Sequence, residues 1–218
     1  MGFMTSPASE SLKEILLRLD QKIQAVDEER WLSSRYATAD QRAALIVLYA
    51  FYYELARVRL VVTDATLGNI RFQWWRDALA ELEQGQVREH DVCLALQAVL
   101  TEGVYKTSNL LELIDTHEAA FLADDRAAEP EGRLAEIAGQ SLSDAPVSFD
   151  EIKAIASAWA ALRRGEIPPE PLAKIKIPSA SRPALAHFRL RHIWRRRGTA
   201  GRLQSRLSVL IAMLTGRI

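Results

Sequence analysis

LYAFYYELARVRLVV, residues 48–62, and LGNIRFQWWRDAL, residues 67–79, form the stretch whose reading decides the fold. Read back to Ala43, the first segment is apolar on most of a helix circumference. It therefore belongs to a helix at the centre of the fold, opening near Thr38–Asp40. The second reads as another helix, Leu67 to Glu83, ended by Gln84 and Gly85. Upstream, Leu12, Ile15, Leu16, Leu19, Ile23 and Val26 recur at three- and four-residue steps, one stripe of an amphipathic helix. Ser9 or Ser11 would cap it, with Glu10 and Glu14 at the positive end of its dipole. Downstream, helices fit residues 90–102, 107–123, 130–142 and 148–164, punctuated by Gly103, Asp124 with Asp125, Pro146 and Gly165. GEIPPEPLAKIKIPSASRP, residues 165–183, holds five of the eight prolines and reads as a loop or extended connector. A basic helix from about Pro183 to Arg197 and an apolar one from Arg202 to Leu214 close the chain. No stretch sustains a two-residue alternation, so the expected class is all-α, one domain over residues 1–218 without internal repeats.

The 218 residues balance 28 basic against 28 acidic side chains and are 49% hydrophobic. That composition excludes disordered, collagenous and disulfide-scaffold classes and fits a soluble globular chain. Cys93, alone, supports neither an internal bridge nor a Cys-based zinc site, and its HDVCLAL surroundings suggest a buried thiol. No apolar run approaches the ~20 residues of a membrane span, and MGFMTSPASESLKE lacks the basic-then-apolar order of a secretory signal. A cytoplasmic placement is expected, with peripheral docking on the inner membrane as its variant. His90, His117, His187 and His192 form no HExxH and no i,i+4 pair. His117, between Asp115 and Glu118, reads as exposed or salt-bridged. Glycine-rich nucleotide loops and a GxSxG elbow are missing.

Charge is segregated. Arg182 to Ile218 contains nine arginines and no acid, leaving 19 basic and 28 acidic residues before it, a net of −9 against +9. Arg189, Arg191, Arg195, Arg196 and Arg197 alternate with Phe188, Leu190, Ile193 and Trp194. Such a basic amphipathic helix suits an anionic membrane surface or an acidic partner; the plainer reading docks it on the acidic body. Nucleic acid fits poorly, because the body would repel phosphates.

RY at 35–36, LYAF at 48–51, ELARVR at 54–59 and IRFQWWRDAL at 70–79 resemble, in that order, the squalene/phytoene synthase family, all-α enzymes of the isoprenoid-synthase type. The likeness is dense for about 50 residues and looser through LLELIDTHEAAF, residues 110–121. It implies head-to-head joining of farnesyl or geranylgeranyl diphosphate with Mg²⁺, held by DxxxD motifs on two facing helices. The i,i+4 spacing puts both carboxylates on one helix face, and their hard oxygens suit magnesium. Here the resemblance sets the first pair at Ala56 and Leu60, and the second, within residues 161–168, at Arg164 and Pro168. Nowhere in the chain do two aspartates stand four apart.

One branch of the family keeps ELARVR and QWWRDAL, lacks the metal-binding acids and is associated with respiratory complex I assembly; this chain resembles that branch. The resemblance implies a noncatalytic binding or assembly factor with no catalytic residue, metal or cofactor. Its retained binding face would be Tyr49, Tyr53, Glu54, Arg57, Arg71, Trp74, Trp75 and Arg76, and its partner a protein or an anionic membrane surface, with a prenyl lipid as a further ligand. The competing reading is an active prenyltransferase using Mg²⁺ through Glu54, Asp64 or Asp77. Arg57, Arg59, Arg71 and Arg76 would also suit an anion without metal. The plain reading of Tyr49, Phe51, Tyr52, Tyr53, Phe72, Trp74 and Trp75 is core packing. For Glu54 and Arg57 it is a buried ion pair reached by Arg71 and Arg76 from the next helix.

Overall fold

Thr38 and Gln41 set the start of the central helix. Thr38 Oγ1 accepts from the Gln41 N–H at 3.4 Å, and Gln41 Oε1 accepts from the Thr38 N–H at 3.3 Å, a reciprocal cap. The computed structural model describes residues 7–124, 130–143, 149–168 and 174–218. In chain order its helices are α1 Pro7–Val26, α2 Glu28–Ser34, α3 Ala39–Val61, α4 Ala65–Glu83, α5 Asp91–Thr101 and α6 Thr107–Leu122. There follow α7 Glu131–Gln140, α8 Phe149–Arg163, α9 Arg182–Leu185, a 3-10 turn Ala186–Leu190, α10 Arg191–Arg197 and α11 Arg202–Thr215. No strand occurs among the described residues, only an isolated bridge between Lys176 and Arg217. The class is all-α.

Helix α3 is the hub, touching α1, α2, α4, α5, α6 and α7. Every residue from Ala44 to Tyr52 is buried, as its nearly continuous apolar circumference requires. Helix α1 contributes Ile15, Leu19 and Ile23 from its predicted stripe. Helix α4 supplies Phe72, Trp75, Leu79 and Leu82.

Close approach of α4 to α6 depends on Gly68. A Cβ built there would lie 2.0 Å from the Phe121 ring, so any side chain at this position would force that ring aside. Gly68→Ala is expected to cost about 1–3 kcal/mol, the range for overpacking. It would be read as a lowered urea midpoint, and Phe121→Leu in the same chain should recover part of the loss.

Three expectations need correction, and one helix stands where none was expected. Ser9 and Ser11 lie inside α1, which already runs from Pro7, a residue tolerated in a first helical turn, so neither serine is its cap. Helix α2 was not anticipated, because EERWLSS has no apolar period; Asp27 starts it by accepting from the Arg30 N–H at 3.4 Å. The basic helix expected over 183–197 is broken by the 3-10 turn, whose three-residue period re-aims the side chains after it. Arg191 is consequently buried, and it donates to the Phe188 carbonyl at 3.1 Å instead of meeting solvent. His117 is 0% exposed, with neither ring nitrogen hydrogen-bonded, and packs edge-on against Tyr52 at 4.8 Å. Pro146 and Asp125 lie outside the described residues.

After α8 the described part of the connector, residues 174–178, runs extended beside the C-terminus. Ile175 and Ile218 exchange backbone hydrogen bonds at 3.2 and 3.1 Å, and Ile177 N–H donates to the Gly216 carbonyl at 2.8 Å. Arg182 donates to the Met213 carbonyl at 2.7 Å and the Leu214 carbonyl at 3.2 Å, satisfying carbonyls at the end of α11.

Candidate functional site

A cavity of about 350 Å³ opens where the last turns of α3 meet the first half of α4 and the start of α5. It is lined by Glu54, Arg57, Val58, Val61, Val62, Ile70, Arg71, Trp74, Trp75 and His90. Two indoles and an imidazole build one side. Trp75 meets Phe51 at 5.3 Å, Trp74 at 4.8 Å and His90 at 5.3 Å, all edge-on. Trp74 is held from behind by the Arg88 guanidinium, 4.7 Å from its ring centre. Arg88 also donates to Glu81 at 2.6 and 2.7 Å and to the Trp74 carbonyl at 3.0 Å, so the indole sits on a fixed support. Valines and Ile70 make the apolar wall, and Arg57 and Arg71 stand exposed at the rim.

The electrostatics follow from these neighbours. Glu54 Oε1 accepts from Lys22 Nζ, and Glu54 Oε2 lies 3.4 Å from Arg57 Nη1. One carboxylate thus faces two cations, and Arg71 adds a third, so the site has a cationic excess. His90 Nδ1 accepts from the Val92 N–H at 3.2 Å, which leaves its proton on Nε2. Burial pushes His90 below its ordinary value, so the ring is neutral at pH 7. An aromatic and aliphatic cavity with arginines at its mouth suits an amphiphile, or a partner's apolar side chain flanked by acids.

Of the residues expected to form a binding face, Glu54, Arg57, Arg71, Trp74 and Trp75 come together here. Tyr49, Tyr53 and Arg76 do not. Tyr49 is buried beside Arg30, 5.7 Å from its guanidinium, and Tyr53 lies under Lys22 at 5.3 Å. Arg76 turns to α6, pairing with Asp115 at 2.6 Å and Glu118 at 2.5 Å. The ion pair expected to join Arg76 to Glu54 therefore does not form, because α6 offers two nearer carboxylates. Sequence reasoning missed His90 at this site; its position as the α5 cap was the available signal.

The acids considered for metal binding are dispersed. Asp64 caps α4, accepting from the Leu67 N–H at 2.9 Å, and Asp77 accepts from Gln73 at 2.7 Å. Leu60 is 79% exposed, and Arg164 pairs with Glu166 at 2.9 Å. Among the described residues no three His, Cys, Asp or Glu side chains are placed to hold a metal ion. No described helix is long and apolar enough to cross a membrane. Cys93 is buried, and its thiol is pushed up to about 11 by burial.

A second charged cluster lies in the core. Arg30, 3% exposed, donates to Asp27 and to Glu131, while Glu131 also accepts from the Tyr52 hydroxyl at 3.2 Å. Arg163 approaches Asp27 at 3.4 Å. Only the Asp27–Arg30 step is local; Glu131 stands 101 residues from Arg30, beyond the reach of any spacing rule.

A helical bundle wrapped around one buried helix, with a cavity at that helix's C-terminal end, is an architecture of the isoprenoid-synthase type. The profile of the squalene/phytoene synthase family matches residues 23–134, half of the chain and every residue lining the cavity. The chain belongs to the squalene/phytoene synthase family. It is similar to the protein named NADH dehydrogenase (ubiquinone) complex I, assembly factor 6, of Bos taurus and of Homo sapiens, 27% identical to each over 101 residues. The match covers 46% of this chain and 30% of each relative, so it spans less than a third of the relatives' length. No solved structure matches the chain.

Proposed function

We propose that this protein is a noncatalytic member of the family that works by binding, as an assembly factor for a respiratory NADH dehydrogenase complex. In this reading it acts on the cytoplasmic side of the inner membrane and uses the cavity between α3, α4 and α5 to hold a protein partner. One observation carries it: the positions where the family resemblance sets paired carboxylates hold Ala56, Leu60, Arg164 and Pro168, while the cavity mouth holds Arg57 and Arg71. Magnesium requires hard oxygen donors, and a methyl, an isobutyl group, a guanidinium and a pyrrolidine offer none. These residues do not fit a magnesium site, so no diphosphate ionisation is routed through one. Without that Lewis acid the largest electrostatic contribution to prenyl transfer is missing. The names of the two relatives supply the complex, and the family match over residues 23–134 includes the segment that builds the cavity. A prenyl chain lying along Val58, Val61 and Ile70 is compatible with binding and needs no metal.

Affinity capture from detergent-solubilised membranes tests this reading. Tagged wild-type protein is expected to retain a respiratory-complex subunit, and Arg71→Glu with Trp74→Ala to lower its recovery about tenfold or more. In parallel, farnesyl or geranylgeranyl diphosphate with Mg²⁺ should yield no pyrophosphate. Turnover abolished by Glu54→Gln, or capture lacking every respiratory subunit, would overturn the proposal.

A further inference from the structure

Helix α11 is built inside out. Its body-facing side is small: Ser208, Val209 and Ala212 are buried against the rest of the chain. The large aliphatic residues point the other way. Leu203 is 71% exposed, Leu207 50%, Leu210 38%, Ile211 42% and Leu214 71%. Their spacing of three and four residues makes one unbroken stripe about 16 Å long. Water-facing leucines are ordinary singly, but a continuous row on one helix marks a surface that something covers.

Charge identifies the occupant. Arg202 and Arg206 are exposed on the same helix, and Arg196, Arg197 and Arg217 are exposed nearby in the chain. No acidic residue occurs from Arg182 to Ile218. A second copy laid α11 against α11 would set arginine against arginine with nothing to compensate. An aliphatic stripe flanked by arginines, whose long stems can reach past the leucines, suits a plane of lipid headgroups.

We infer that α11 is a membrane-surface element: its five aliphatic side chains enter the headgroup boundary of a bilayer while Arg202 and Arg206 engage anionic lipid. The surface expected on residues 189–197 is thereby moved. Arg191 is buried and Arg189 donates to the Arg217 carbonyl at 3.1 Å, so the apolar contact belongs to α11 and the earlier segment supplies only flanking charge. The anchoring of α11 fits this task. The paired Ile175 and Ile218, with Arg182 on its last carbonyls, hold the helix to the body by its C-terminal end. A Cβ added at Gly216 would lie 2.7 Å from the Ile177 carbonyl oxygen, and the residue's φ of +69° favours glycine, so this anchor tolerates no side chain there.

Vesicle flotation of the full chain tests the inference without any protein partner, so its outcome is separate from that of the capture experiment. The protein should bind phosphatidylcholine vesicles containing about one-third phosphatidylglycerol, and bind pure phosphatidylcholine far less, since each basic residue near an anionic surface gives about fivefold in affinity. Arg206→Gln should weaken binding about fivefold, and rising salt should weaken it further. Leu207→Gln with Leu214→Gln should reduce it about tenfold or more while leaving the circular-dichroism melt unchanged, because both side chains face outward. Equal binding to both vesicle types, no binding to either, or full binding by the double leucine variant would overturn the inference. So would a lipid-free dimer that Leu207→Gln dissociates, which would make a second copy the occupant.

Discussion

Replacing Arg30 with methionine is expected to remove about 3–5 kcal/mol of folding stability, the range for breaking a buried ion pair by deleting one partner. Arg30 is the only described side chain that donates to both Asp27 and Glu131. Its guanidinium also lies 5.2 Å from the Tyr52 ring and 5.7 Å from that of Tyr49. Methionine fills the volume but leaves two buried carboxylates without their shared cation. Arg163, at 3.4 Å from Asp27, compensates one of them in part and acts on Glu131 through its charge, while Glu131 keeps the Tyr52 hydroxyl at 3.2 Å. The cluster ties α2 to α3, α7 and α8, so its loss loosens the bundle well away from the cavity. Arg30→Lys should recover little, because an ammonium does not reproduce a fork that spans two carboxylates. Arg30→Met with Asp27→Asn and Glu131→Gln should recover most of it, since no uncompensated charge then remains. Urea unfolding followed by circular dichroism at pH 7 reads all three. A loss below about 1 kcal/mol for Arg30→Met would mean that the cluster is already hydrated.

Acidification from pH 7.5 to 5 is expected to lower stability by up to about 4 kcal/mol, since an unfolded imidazole value near 6.5 limits the loss to roughly 2 from each of His117 and His187. Burial holds both rings well below the ordinary imidazole value, with the Arg59 charge adding to it at His117 and the Arg30 charge at His187. The unfolded chain titrates near 6.5, so between there and the lower folded values it binds protons that the native state refuses. Stability therefore falls as pH falls through that window, and it is fully present above it. His192, lowered to about 4 by burial and then by Arg191, acts in the same direction, with a smaller effect because it is only partly buried. Asp27 adds a second phase. Burial raises its carboxyl, but Arg30 and then Arg163 outweigh this and leave it below the ordinary value. A depressed carboxyl contributes stability above its unfolded value, near 4, and loses that contribution as pH drops further. Equilibrium unfolding across the pH range should show the first loss shrink by about half in His117→Leu. An unchanged slope would show that ring to be accessible to protons.

Much of this protein is written locally. The helices over 39–61, 65–83, 91–101 and 107–122 follow from apolar period and local stop signals, because Thr38, the paired Gln84–Gly85 and Gly103 act within a turn or two of the residues they bound. The cavity was partly legible for a related reason. Glu54, Arg57, Arg71, Trp74 and Trp75 sit on two consecutive antiparallel helices, so adjacency in sequence became adjacency in space. Arg76, one residue from Trp75, misled because a helix turns about 100° per residue and carries it to α6.

What the chain determined by itself was therefore its helical class, its central helix and the composition of one cavity, all set by interactions spanning a few residues or one helix hairpin. Only the tertiary structure decided which charges are buried, that His117 has lost its water, that Arg191 faces inward and that α11 turns its leucines outward. Each of those depends on which distant surface takes the opposing place, and a pattern of spacing gives a helix two faces without saying which one the protein will cover.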